Sequence, residues 1–341
     1  MTLIFLLKVL KFIPNKERED LTVMTRLLCC ALCSLFLVSI PPEVFAWGSV
    51  THAYFAKQLG EGKLNAEEVY GATVPDLFNL MLDSPYYDDL VGLTHKQATK
   101  VKTKAHKMGL EDFALGFVSH NEVWGADFTA HVSGRTTQEG YVVTQSRVLA
   151  LSLKPPLQDI LEQGGISSPS FIAGALAAGV SHPFIETAID LLIKRNEDPS
   201  IGSALRQSAQ DRPPAVQDLL AAAYGKSLAR KTKVSEGEAI HFIRESETQY
   251  QQLMVRYGEI FTEEEPQALQ ALATQGSGLL EGYLTLFTGK EITISPELIV
   301  QFLTLAIEQV EDTYQEELTS TLSYLKGRMK SYLSSIMRKR Q

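Results

Sequence analysis

The sequence predicts an all-α protein. Apolar residues recur at the three-to-four-residue spacing of amphipathic helices through most of residues 47–341, and runs with strand character are few and short. Tyr141-Val142-Val143 and Ile292-Thr293-Ile294 are the best strand candidates, and each is only three residues long. With 45% hydrophobic and 21% charged residues the composition is that of an ordinary globular chain.

Taken in order, the expected helices begin with Thr51 to Leu59, which carries His52 in its first turn. Leu110 to His120 ends on a histidine. Ser170 to Lys194 contains the apolar stretch Phe171 to Val180, and within it Pro183 suggests a helix beginning there. Ala215 to Ala229, Ser235 to Phe261, Glu264 to Phe287 and Ser295 to Met337 follow. Phe171 to Val180 and Leu298 to Ile307 are shorter than the roughly 20 residues that cross a bilayer, so both read as core helix. The polar segment Arg195 to Gly202 makes a boundary between two helical halves, 47–195 and 196–341, that can share one core.

Residues 1–46 read as a targeting segment. Arg26 precedes a mostly apolar run of 14 residues, Leu27 to Ile40, which Pro41-Pro42 breaks. Val44-Phe45-Ala46 then offers small residues where a signal peptidase reads them, so cleavage is expected after Ala46 and Trp47 becomes the first mature residue. The apolar stretch Leu3 to Ile13 is unusual ahead of such a signal; Met24 is an alternative start that would make residues 1–23 an extension. On this reading the protein is exported to the periplasm or the medium.

Cleavage would also remove every cysteine, since Cys29, Cys30 and Cys33 all lie in the apolar run. The mature chain then has neither disulfide nor thiolate, and His, Asp, Glu and backbone groups must supply any metal ligand. Removing five basic and four acidic residues leaves 27 and 36, a net charge of -9 against -8 for the whole chain. That balance counts against a protein that wraps nucleic acid electrostatically.

Six of the seven histidines fall in residues 47–195. Trp47 to His52 places a freed α-amine, a carbonyl and an imidazole within reach of one ion. Asp76 follows Pro75 at a turn or helix start, where an N-cap is the commoner role. His95 and His106 follow, with Lys96, Lys100, Lys102, Lys104 and Lys107 among them; these lysines read as a solvated face, with attraction of an anionic substrate as the functional alternative. His95 is preferred to His106 for its Thr-His context.

Asp127 and His131 are four apart, as are His182 and Glu186, so each pair shares one helical face. His120 and Asp127 are seven apart, which on a straight helix separates them by about 10 Å. Trp124-Gly125 is expected to bend the chain and close that gap. Any one of these histidines alone reads as structural, as His241 does. Two His/carboxylate pairs together with a third cluster at a processed terminus point to a multinuclear metal site.

In their order these residues resemble the zinc-dependent phospholipase C family, which shares its fold with fungal single-strand-specific nucleases. The matching positions are Trp47, His52, Asp76, His95, His120, Asp127, His131, His182 and Glu186. The likeness covers residues 47 to about 190, and the seven-residue gap before Asp127 departs from the family's four. The resemblance implies a multi-helix catalytic bundle of the phospholipase C/nuclease kind with a helical C-terminal extension.

It also implies three zinc ions. One would be held by Asp76, His95, His120 and Asp127. A second would be held by the Trp47 amine and carbonyl with His52, Asp127 bridging. His131, His182 and Glu186 would hold the third. Asp76 would double as general base, or serve as a ligand alone. The implied reaction is hydrolysis of a phospholipid head-group ester or another phosphodiester. A nuclease or 3′-nucleotidase acting on nucleic acid is the first alternative, and a non-catalytic zinc-stabilised binding protein the second. The basic stretch Lys326 to Arg340 can touch anionic lipid at a membrane surface, or can simply suit the dipole of a helix end.

Overall fold

The computed structural model describes residues 47–78 and 87–339; the leader expected over 1–46, with its cysteines, alternative start and cleavage position, lies outside them. Regular structure among the described residues is helical throughout, so the all-α expectation holds. Helix α1 is Ser49–Leu59, α2 Ala66–Thr73, α3 Tyr87–Lys96, α4 Thr99–Ala105 and α5 Glu111–His120. Then come α6 Tyr141–Gln163, α7 Pro169–Leu192, α8 Ile201–Gln210, α9 Val216–Thr232 and α10 Glu236–Ile260. Helices α11 Glu265–Thr288, α12 Pro296–Val310 and α13 Tyr314–Lys339 complete the chain. A 3-10 turn, Val74–Phe78, extends α2, and wide π-type turns cover Phe128–Val132 and Ile193–Glu197.

Both strand candidates are overturned. Tyr141 and Val142 begin α6 and are buried, while residues 291–295 form an irregular link in which Ile294 N–H donates to Glu281 Oε1 at 2.8 Å. A β-branched triplet has no ladder of its own, so burial against helices decides its conformation. Pro183 does not start a helix either. It lies inside α7, whose first residues are Pro169 and Ser170, and the apolar faces on both sides of it carry the helix through. Ser295 to Met337 is two helices rather than one, parted by a turn at residues 311–313.

Local sequence explains several helix starts. Asn65 accepts a hydrogen bond from Glu68 N–H at the head of α2, and Ser295 accepts one from Leu298 N–H at α12. Ser235 and Glu238 form a reciprocal capping box at α10.

The long helices α6 and α7 pack along each other, and α12 lies against both. Helix α7 is apolar and long enough to cross a membrane by length and composition, but most of its apolar window is buried, as in a core helix. The C-terminal half contributes to the same core as the N-terminal half. Tyr250 of α10 donates to Thr73 O at 2.7 Å, and Tyr70 of α2 donates to Glu247 of α10 at 2.9 Å, which steadies the end of α2 just before Asp76.

Candidate metal centre

Four elements deliver one buried group. Asp76 comes from the 3-10 turn after α2, His95 from the last turn of α3, His120 from the last residue of α5, and Asp127 from the segment leading into the π-type turn. One ligand atom from each lies within 4.8 Å of all the others, and all four residues are buried. His120 Nε2 is 2.7 Å from Asp127 Oδ2 and 3.4 Å from Asp76 Oδ1. His95 Nε2 is 3.2 Å from Asp76 Oδ1, 3.3 Å from Asp127 Oδ2 and 3.2 Å from His120 Nε2.

The bend expected at Trp124-Gly125 closes the seven-residue gap. Helix α5 stops at His120, and the Asn121 side chain accepts from Val123 N–H at 2.8 Å and Trp124 N–H at 2.9 Å, an Asx turn that reverses the chain. Gly125 then passes so close to α5 that a Cβ there would lie 2.5 Å from the carbonyls of Ser119 and His120. Only glycine fits that approach.

His52 joins from α1. Its Nε2 is 3.1 Å from Asp127 Oδ1, and its ring stacks on His120 with centroids 4.0 Å apart. Asp127 therefore turns one oxygen toward His95 and His120 and the other toward His52. Trp47 is buried beside it. The indole N–H is 3.0 Å from both Ala126 O and Thr129 Oγ1, the two residues flanking the Asp127 turn, and the ring stacks on Tyr141. This fastens Trp47 to the segment that carries Asp127.

A second group comprises His131, in the π-type turn, with His182 and Glu186 one turn apart on α7. His182 Nε2 is 3.1 Å from Glu186 Oε1, and the His131 and His182 rings have centroids 5.3 Å apart. His106 stands outside both groups, 62% exposed and paired with Glu111. His241 is not a core histidine; it is exposed on α10 beside Glu245.

Hydrogen bonding fixes how the rings of the first group are presented. His95 Nδ1 donates to Val91 O at 3.0 Å and His120 Nδ1 donates to Ala72 O at 2.8 Å, so in each ring Nε2 faces the centre. Burial alone raises the Asp76 and Asp127 carboxyls, but His120 and its neighbouring imidazoles hold both well below the usual range. Burial alone would lower His120, yet Asp127 and Asp76 push it up to about 10. Burial lowers His52, reinforced by the adjacent His120, and burial also lowers His131.

Several of these atoms are buried with no hydrogen-bond partner of acceptable geometry: His52 Nε2, both oxygens of Asp127 and both ring nitrogens of His131. Burying such atoms without a well-aligned partner is costly. A cation would pair with them, and the donor set of imidazole and carboxylate suits one. Both groups can hold a metal ion.

No protein family, curated protein or solved structure matches this chain.

Three acidic residues with almost no local sequence signal also shape the centre. Asp190, buried on α7, accepts from Val50 N–H, Thr51 N–H and Thr51 Oγ1 at 3.1, 2.8 and 2.6 Å, capping α1 from a distant element. Burial pushes its carboxyl up to about 7 despite those donors. Its four-residue step from Glu186 is the one hint the sequence offers. Glu317 of α13 accepts from Arg135 N–H and Thr136 N–H at 2.8 and 2.6 Å, pinning the segment after His131. Glu122 lies between the two groups, within 4.0 Å of His131. Helix α13 also covers the bend, with Tyr332 against Trp124 and Tyr324 against Phe128.

Proposed function

We propose that this chain is an exported zinc-dependent phosphodiesterase of the phospholipase C kind. One observation carries the reading: two metal-capable groups are built close along one segment, and Asp127 of the first turns its second oxygen to His52. That arrangement suits more than one ion, and clustered ions suit in-line displacement at phosphorus. Zinc is favoured because the donors are imidazole and carboxylate and residues 47–341 have no cysteine.

In the proposed reaction, zinc supplies Lewis-acid polarisation of a phosphoryl oxygen and lowers the pKa of water. The chain's own residues do the rest. Asp127, held ionised, neutralises the imidazole-bound charge on both of its sides. Asp76, the carboxylate of the first group that retains some exposure, takes a proton from attacking water at its carboxylate. His95 and His120 are oriented by Val91 O and Ala72 O, so the nitrogens facing the centre do not reorganise. The Trp47 amine, once freed, completes the His52 side.

A nuclease reading has one observation in its favour. Trp124, Tyr324 and Tyr332 form an aromatic surface beside the Asp127 bend, with Arg328, Arg135 and Lys102 over the rings. Stacked bases and a cationic track are what single-strand binding uses.

The deciding experiment measures zinc content of the protein beginning at Trp47, with turnover of a phosphodiester reporter, phosphatidylcholine vesicles and a single-stranded oligonucleotide, each with and without chelator. Bound zinc with chelator-sensitive release of the phosphorylated head group supports the phospholipase reading. Cleavage of the oligonucleotide alone moves the chain to the nuclease reading. Bound zinc with no turnover of any substrate leaves a metal-stabilised binding protein.

A further inference from the structure

A metal-bound imidazole is oriented by the hydrogen bond its other ring nitrogen makes, usually to a carbonyl or a carboxylate. His95 and His120 have carbonyl partners at 3.0 and 2.8 Å. His131 differs. Its side chain is 8% exposed, and neither ring nitrogen has a hydrogen-bond partner.

Glu122 stands in the place such a partner would occupy. Its Oε1 is 4.0 Å from His131 Nδ1, one small side-chain adjustment from hydrogen-bond range. Glu122 is held from two further directions. Its N–H donates to His95 O at 3.1 Å, and its Oε2 is 3.2 Å from Lys96 Nζ. The turn that carries it is fixed by Asn121. That turn exists because His120 and Asp127 are seven residues apart; a four-residue spacing on one helix would leave no such loop between the groups.

We propose that Glu122 is the positioning residue for His131: its carboxylate accepts a hydrogen bond from Nδ1–H, which leaves Nε2 as the nitrogen offered to an ion held with His182 and Glu186. Lys96 steadies the carboxylate. The backbone bond from Glu122 to His95 ties this arrangement to the first group, so the residue links the two. The inference rests on the metal reading of the second group and goes beyond it by assigning a residue outside either ligand set.

The test is titration of the metal-free, full mature protein with cobalt and with zinc, following stoichiometry, affinity and the cobalt visible spectrum. Wild type is compared with Glu122→Gln, Lys96→Ala and, as a ligand-loss reference, His182→Ala. Glu122→Gln is expected to keep the full number of ions, to weaken one of them by about 10–100-fold and to shift that ion's cobalt bands. Lys96→Ala is expected to weaken the same ion by less. A Glu122→Gln protein with unchanged affinity and spectrum overturns the assignment while leaving the metal reading intact. Loss of one whole ion, as in His182→Ala, also overturns it, because Glu122 would then be a ligand. A wild type whose ion count His182→Ala does not lower overturns the second group itself and the assignment with it. If Glu122→Gln does not fold, Lys96→Ala decides: an ion weakened at the second group supports the assignment, and no change overturns it.

Discussion

The two metal-capable groups are built in different ways. The first collects side chains from four elements, and its imidazoles are locked by backbone carbonyls at 2.8 and 3.0 Å. The second takes two of its three members from one helix, four residues apart, and its third, His131, from a turn with no hydrogen bond to its ring. Convergence of separate elements costs more chain entropy but yields a preorganised set. An i, i+4 pair is simple to encode and leaves its partner to be positioned by something else. The first group should therefore bind more tightly and exchange more slowly than the second.

The strongest way to break this contrast is Asp127→Ala. It removes the carboxylate shared by His52, His95 and His120, and leaves three buried imidazoles without their central counter-charge. Loss of metal at the first group is expected, and with it a fall of more than about a hundred-fold in the proposed phosphodiesterase turnover, beyond what an orienting partner costs. Retention of the full ion count would show that the first group is not the anchor.

A second test uses pH. In metal-free protein His120 keeps its proton up to about 10, against about 6.5 for an unfolded chain. A raised folded pKa means this contribution to stability is complete below about pH 6.5 and is lost as the pH rises toward 10. Metal entering the first group at pH 8 must then displace a proton. Calorimetry in two buffers of different ionisation heat should show that release. An uptake heat independent of buffer would mean His120 enters neutral.

A smaller effect sharpens the role of remote anchoring. A Cβ on Gly48 would lie 2.4 Å from Asp190 Oδ2, inside the cap that starts the His52 helix. Gly48→Ala should cost about 1–3 kcal/mol, read from the midpoint of urea unfolding. An unchanged midpoint would show that Asp190 can move aside without releasing α1. The smallest expected effect is His106→Ala. With its ring exposed and paired only to Glu111, the change should leave ion count unaltered and stability within about 0.5 kcal/mol. A lost ion would return His106 to the ligand set.

How far the sequence could be read depended on whether the information was local. The helix carrying His52, the His182/Glu186 step and the bend at Trp124-Gly125 are legible because periodicity, i, i+4 spacing and glycine act over a few residues. Helices α2, α3, α4, α6 and α8 were not, being short, charged or interrupted by Pro155-Pro156, so neighbouring elements hold them together. The triplet at Tyr141 reads as strand by propensity, yet it becomes helix because Trp47 and the core claim its aromatic face.

By itself, then, the sequence determined that this protein is helical and which histidines and carboxylates are available as ligands, since both follow from residue type and short spacing. Tertiary structure alone decided that His95 rather than His106 enters the centre. It also decided that Asp127 faces two ways, that Asp190 of α7 caps α1, and that Glu122 comes within 4.0 Å of His131. Those contacts join residues from 9 to 140 positions apart. Chain spacing carries no signal at such separations; only packing brings the groups together.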